Sequence, residues 1–163
     1  MTAAVEDHVI ERLPREFDRW RELLDLILRS FDTMHGVVHP PSSVLRLTPQ
    51  MLADRSRSET CFLASSGARL AGCVFAAERP HAVYIGKLAV DPVAQGRGLG
   101  RRLIDAVGNH AWQIGKPVLE LETRVELTAN HAMFRHMCFV EVARHAHPGF
   151  DRPTSITFRK TLS

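Results

Sequence analysis

The apolar positions change their period several times along the chain, and each change marks an element. Leu23, Leu24, Ile27, Leu28 and Phe31 recur three and four residues apart, which predicts an amphipathic helix over residues 15–31, closed off by Gly36 and Pro40-Pro41. A shorter helix is expected over 50–56, after Thr48. Residues 61–64 and 70–77 read as two strands joined at Ser65-Ser66-Gly67. From Val83 to Val90 nearly every residue is apolar or small, the pattern of a strand covered on both faces, and Asp91-Pro92 stops it. Leu99, Leu103, Val107, Ala111 and Ile114 then form one stripe of a helix that Gly115 and Pro117 terminate. In 118–125, Leu119, Leu121 and Thr123 alternate with Glu120, Glu122 and Arg124, as in a half-covered strand. A short helix over 130–137 and closing strands over 140–147 and 155–162 complete a mixed α/β domain. Within it, 83–125 is one strand–helix–strand unit, most simply parallel.

Composition narrows the class. The 163 residues, 24% charged and 45% hydrophobic, suit one soluble globular domain over 1–163, with no internal repeat and no linker to divide it. A chain of this length buries roughly two-thirds of its unfolded surface, so it folds without a metal or disulfide staple. Three widely spaced cysteines, Cys61, Cys73 and Cys138, fit a reducing cytoplasm. Glu6, Asp7, Glu11 and Glu16 argue against a targeting peptide. No apolar run reaches the roughly 18 residues of a membrane span, so no membrane partner is expected. The net charge of +3 is spread along the chain; only Arg97, Arg101 and Arg102 cluster, which points to a small anionic ligand and away from nucleic acid. The nine histidines show no metal-ligand spacing: His35 and His39 flank a loop glycine, and His145 and His147 lack a cysteine or carboxylate partner, so no metal is expected.

Chemistry concentrates between the buried strand and the next helix, in Gln95-Gly96-Arg97-Gly98-Leu99-Gly100. Glycines let the backbone turn sharply and approach a ligand, and a helix N-terminus offers free amides and a positive dipole end to an anion. Arg101 and Arg102 place two cations in the first helical turn, where the macrodipole disfavours each by roughly 0.3–1 kcal/mol. That breach of a local rule makes sense where a phosphate normally sits; otherwise the segment is a solvated glycine loop with surface arginines. A Walker loop is excluded because no lysine occurs between Lys87 and Lys116. A dinucleotide fingerprint is closer, since Gly96 and Gly98 are correctly spaced and Glu120 follows about 20 residues on. Its third glycine would fall at Arg101, however, and residues 91–95 separate strand from glycine.

The stretch Ile85-Gly86-Lys87-Leu88-Ala89-Val90-Asp91-Pro92, followed by Gln95 to Gly100, resembles the acyl-coenzyme A motif of the GNAT family of N-acetyltransferases, Gln/Arg-x-x-Gly-x-Gly/Ala after a strand ending in Val-Asp-Pro. Leu119 to Arg124, and Ala132-Met133-Phe134 up to Cys138-Phe139, resemble that family's second block, which usually ends in Tyr-x-x-x-Gly-Phe. The resemblance covers 83–139. It implies a mixed sheet of the α/β (α+β) class, with flanking helices and a central parallel strand pair, here 83–90 and 118–125, that splays apart. It implies acetyl-CoA as co-substrate, with the backbone of Leu88, Ala89 and Val90 on the pantetheine arm and acetyl carbonyl and the Val90 amide as oxyanion contact. The amides of Gln95, Gly96, Arg97, Gly98, Leu99, Gly100 and Arg101 would hold the pyrophosphate. The acceptor would be a primary amine of a small molecule or peptide, bordered by loops 34–41 and 147–153. Dimers are common in the family, which leaves monomer and homodimer both open.

Acetyl transfer needs a neutral nitrogen, whereas free amines have pKa values of about 8 for an α-amino group and about 10.4 for lysine. By the same resemblance Glu122 is the candidate base, aligning with the glutamate that ribosomal-protein alanine acetyltransferases, a branch of the family, use for that task. The alternative is that Glu120, Glu122 and Arg124 are simply the polar face of a strand. Phe134 stands where many members carry a tyrosine that protonates the departing thiolate, and a phenyl ring has no proton to give. A thiol pKa of about 8.5 makes that loss tolerable. Tyr84, the single tyrosine, lies near the start of its strand and is expected to be too distant to substitute. Leu127 replaces an asparagine often found before the second-block helix. Asn130, three residues later, either meets coenzyme A from a shifted register or caps that helix. Cys138 replaces the usual glycine. These departures leave a non-catalytic acyl-CoA-binding module as the rival to an enzyme.

Overall fold

The computed structural model describes residues 7–163; Glu6, weighed above against a targeting peptide, lies outside them. In chain order they form β1 (Val9–Arg12), α1 (Trp20–Phe31), α2 (Pro49–Ser58), β2 (Thr60–Ser66), β3 (Arg69–Glu78), β4 (Val83–Val90), α3 (Leu99–Gln113), β5 (Val118–Arg124), α4 (Thr128–His136), β6 (Val140–His145) and β7 (Ser155–Thr161). The strands make one seven-stranded sheet in the order β1-β2-β3-β4-β5-β7-β6. All neighbours are antiparallel except β4 and β5, which run parallel with α3 as their crossover.

Alternation along β3 decides the layering. Cys73 and Phe75 join Leu23, Leu26 and Ile27 of α1 and Leu52 of α2, while Val74 and Ala76 join Leu103, Ile104, Val107 and Ala111 of α3. All of these are buried, each large one contributing roughly 1.5–3 kcal/mol by leaving water. Helices therefore cover both faces of the central strands, as the unbroken apolar run at 83–90 demands. From α4 and its C-terminal cap, Phe134 and Met137 reach the α3 side, against Phe139 and Phe158. Leu119 and Leu121 of β5 face that same core, which leaves Glu120, Glu122 and Arg124 on the α1 face.

Several boundaries differ from expectation, each for a local reason. The pattern gives no sign of β1, a four-residue edge strand whose Val9 is 58% exposed, because no buried side imposes alternation there. α1 begins at Trp20 because Pro14 turns the chain first: its carbonyl accepts the Phe17 amide at 3.1 Å, and Phe17 then meets Trp20 edge-on, ring centres 4.9 Å apart. α4 starts at Thr128, and the Leu127 carbonyl takes the amides of Asn130 and His131 at 3.0 and 3.3 Å. Asn130 thus lies exposed inside the first turn and does not cap the helix. β6 ends at His145; His147 belongs to the loop beyond it, its amide bonded to Thr154 Oγ1 at 2.9 Å.

The ends of α3 and α4 are built alike. After α3, Gly115 (φ 76°) donates to the Trp112 carbonyl at 3.1 Å and Lys116 to that of Ala111 at 2.9 Å. After α4, Cys138 (φ 71°) donates to Arg135 and Phe139 to Phe134, both at 3.0 Å. This is the Schellman arrangement, in which the left-handed residue is usually glycine.

Candidate active site

β4 and β5 pair in register only at Val83↔Leu119 and Tyr84↔Glu120, although β4 continues to Val90 and β5 to Arg124. Beyond that fork the strands part, as the resemblance implies. A bulge helps to turn β4 away: Phe75 pairs with Gly86 but Cys73 with Ala89, and within the extra stretch Lys87 is left-handed at φ 50°. Past the bulge, Asp91 gives its amide to Ala71 of β3 at 2.8 Å, so the Val90 amide, one residue back, faces the gap. There it donates to Ser30 Oγ of α1 at 3.1 Å, and Gln95 Nε2 donates to the Val90 carbonyl at 3.1 Å. The pattern offers one hint of Ser30: it falls three residues after Ile27, a polar residue beside the apolar stripe of α1.

The glycine loop is set by what precedes and follows it. Asp91 is only 4% exposed. It accepts from the Val93 amide at 3.2 Å and from Arg29 at 3.0 Å, with Arg69 at 3.7 Å. Burial opposes its charge, but the Val93 amide and Arg29 outweigh burial and hold its carboxyl below the usual aspartate range. On the far side, buried Leu99 anchors the start of α3 in the core. Between them Gly96 (φ 81°) and Gly98 (φ 74°) are left-handed, and a Cβ built on either would meet nothing within 4 Å. Gly98 is the N-cap residue of a 15-residue helix, so the first-turn amides of α3 open onto this clear space. Arg97 and Arg101 are exposed around it, whereas Arg102 turns away to the His8 carbonyl at 3.0 Å.

The α1 face of β5 forms the other wall of the gap. Glu120 is paired with Arg159 at 2.8 Å, and Arg124 donates to the Pro40 carbonyl at 2.7 Å. Glu122, between them and opposite Thr157, is exposed and makes no ion pair among the described residues. Tyr84 does not stay at the far end of β4: it reaches forward until its phenol hydrogen-bonds the Glu122 backbone and senses the Glu122 carboxylate. Burial first, and that carboxylate second, push the phenol up to about 12. The two loops expected to border an acceptor both meet the end of β5. His39 gives its amide to Glu126 at 3.4 Å, and His147 bonds Thr154. Burial first and Arg124 second lower the His147 pKa, against opposing pulls from Glu122 and Glu126.

Phe134 is 6% exposed, packed edge-on against Phe139 at 5.9 Å and tilted against Phe158 at 6.0 Å. His131 is a satisfied core residue, its Nε2 2.8 Å from the Arg124 carbonyl. Among the described residues there is no cluster of histidine, cysteine or carboxylates fit for a metal ion, and no helix long and apolar enough to cross a membrane.

Comparison with known proteins agrees with this geometry. No curated protein matches the sequence closely enough to count as a relative. Among solved structures, the ribosomal-protein-S18-alanine N-acetyltransferase of Escherichia coli is similar over 96% of this chain and 95% of its own, at 20% identity and a TM-score of 0.73. A GNAT family acetyltransferase from Elizabethkingia anophelis with acetyl-CoA bound is similar over 97% and 100%, at 16% identity and 0.70. An acetyltransferase of Bacillus subtilis in complex with CoA is similar over 96% and 100%, at 19% identity and 0.68. At such identities the likeness shows the fold. The acetyltransferase (GNAT) family model itself matches residues 20–139, from the start of α1 through Phe139, and on that match the chain belongs to the GNAT family.

Proposed function

We propose that the chain is an N-acetyltransferase that holds acetyl-CoA along β4 and the 95–101 loop and passes its acetyl group to a primary amine of a small molecule or peptide. The observation that carries this reading is the pair Gly96 and Gly98, both left-handed and both bordered by open space at the N-terminus of α3. Backbone amides beside a helix dipole suit a diphosphate, and the exposed cations Arg97 and Arg101 complement it. The likeness to proteins crystallised with acetyl-CoA and CoA supports the choice of ligand. Leu88, Ala89 and Val90 would carry the pantetheine arm on the side of β4 that has no strand partner. From α4, exposed Asn130 is an accessible contact for coenzyme A, while buried Phe134 offers only its rim.

In the transfer, Glu122 takes a proton from the ammonium, the neutral amine attacks the thioester carbonyl, the nitrogen of the tetrahedral intermediate releases its surplus proton to water, and the intermediate collapses by breaking the carbon–sulfur bond to give the amide and a thiolate. The Val90 amide is the oxyanion donor, and an oxygen arriving there displaces the Ser30 hydroxyl that holds it at 3.1 Å. Phe134 supplies no acid; a thiolate of pKa about 8.5 leaves without one.

Calorimetry with acetyl-CoA and a thiol-release screen over a panel of primary amines test the reading together. Heat of binding and turnover of at least one amine are expected. Glu122→Gln should slow transfer by about 10²–10⁴-fold and remove the acidic limb of the pH profile, the range of a lost general base. An unchanged rate and profile would remove Glu122 from the role. Binding without turnover across the panel would favour the acyl-CoA-binding module, a reading to which the burial of Phe134 in place of an acid lends weight.

A further inference from the structure

Tyr84 is the last β4 residue to pair with β5 in register, so it stands at the fork where the strands part. Its ring lies along Gly86, where a Cβ would touch Tyr84 Cε1 at 3.8 Å. Arg79, from the turn before β4, places its guanidinium carbon 4.7 Å from the ring centre. Arg79 is itself fixed, its amide bonded to the Ala82 carbonyl and its carbonyl to Lys116 Nζ, both at 2.8 Å. The phenol thus points up the gap to Glu122, which is two residues past Glu120 and has no registered β4 partner. Glu120 and Arg124, the neighbours of Glu122 on that face, are tied down by Arg159 and the Pro40 carbonyl.

We propose that Tyr84 is a positioning residue for the transfer: wedged in the fork, its phenol stands in for the β4 backbone that Glu122 lacks and fixes that carboxylate on the wall of the gap. The proposal rests on the reading of Glu122 as base. The phenol stays protonated at working pH, and its oxygen accepts from the Glu122 amide as a β4 carbonyl would, so it steadies that residue and is not a second base. Arg79 and Glu120 also face the phenol, and Arg124, Glu126 and His147 lie around Glu122; none of them is altered by the test.

The experiment compares Tyr84→Phe, Glu122→Gln and the double variant on the fastest amine of the panel, as a function of pH, with acetyl-CoA affinity and melting temperature as controls. Tyr84→Phe keeps the wedge and removes the hydroxyl. Its affinity for acetyl-CoA should stay within about twofold, while kcat/KM falls about 10- to 100-fold through misplacement of the carboxylate. The bond that is lost goes to the Glu122 backbone and not to its carboxylate, so the fall should come at every pH, with the acidic limb in place. In the Glu122→Gln background the same change should add less than about twofold, since the two residues act as one unit. Because Tyr84 is the only tyrosine, a ring-labelled sample gives one resonance, which Glu122→Gln should shift. If Tyr84→Phe matches the parent in rate, loses acetyl-CoA binding, or costs the same factor in both backgrounds, the proposal is overturned while Glu122 keeps its role. An unmoved tyrosine resonance overturns it too. If Glu122→Gln is as active as the parent, or no amine is turned over, the base reading falls and the proposal with it.

Discussion

Replacing Cys138 with glycine should stabilise the protein. Cys138 holds the left-handed position behind α4 at φ 71°, the place that Gly115 fills behind α3. A side chain there costs on the order of 1–2 kcal/mol, and glycine forfeits about 0.4–1 kcal/mol of that through its greater freedom in the unfolded chain. No packing is lost, because Cys138 is exposed while its neighbours Met137 and Phe139 are buried and keep the backbone in place. The net gain is about 1 kcal/mol, which in a chain of this length raises the melting temperature by roughly 2–4 °C. Calorimetric melting in reducing buffer reads it, with Cys138→Ala as the control. Alanine keeps the Cβ and so should melt within about 2 °C of the parent. A glycine variant that melts no higher than the parent refutes the reasoning. An alanine variant that matches the glycine one would trace the effect to the thiol and not to the backbone.

Other perturbations probe the sheet, the loop and its anchor. Gly72→Ala places a Cβ 3.0 Å from both the Ala89 carbonyl oxygen and Leu103 Cδ1, so it should cost roughly 1–3 kcal/mol; an unchanged urea midpoint would contradict that clash. Gly98→Ala leaves the fold with only the strain of φ 74°, yet its Cβ enters the proposed diphosphate space, and calorimetry should show acetyl-CoA affinity falling at least about tenfold. Equal affinity would remove the cradle. Asp91→Ala should cost about 1–2 kcal/mol at neutral pH, from the lost contacts to the Val93 amide and Arg29. Because the folded carboxyl titrates below its unfolded value of about 3.9, this stability is present above that pH and is lost as the pH falls through the lower folded value. The gap between parent and variant should therefore close in acid, and a pH-independent gap counts against the assignment.

Where the physics is local, the sequence is legible to the residue. β4 spans Val83–Val90 and α3 starts at Leu99, because an unbroken apolar run and a helical stripe each have a sharp edge there. Thr48 accepts the Met51 amide and Pro49 opens α2, a cap written in adjacent letters. Features that depend on pairing between distant segments are hidden. The splay of β4 from β5 leaves no mark in either strand. Tyr84 and Glu122 meet across 38 positions of chain because one long side chain leans two residues up a diverging gap, whereas counting along β4 alone puts it far from any chemistry. Asn130 misled for a simpler reason: a helix needs no side-chain cap to start, and α4 starts without one.

The divided centre of the sheet makes any molecule lodged there part of the architecture. Within the sheet itself, β1 to β4 and β5 to β7 are joined by only two residue pairs, with one crossover helix between the parallel strands. A ligand that bridges that seam braces the halves as an eighth strand would, so the more tightly it is held, the more it adds to the domain's resistance to coming apart.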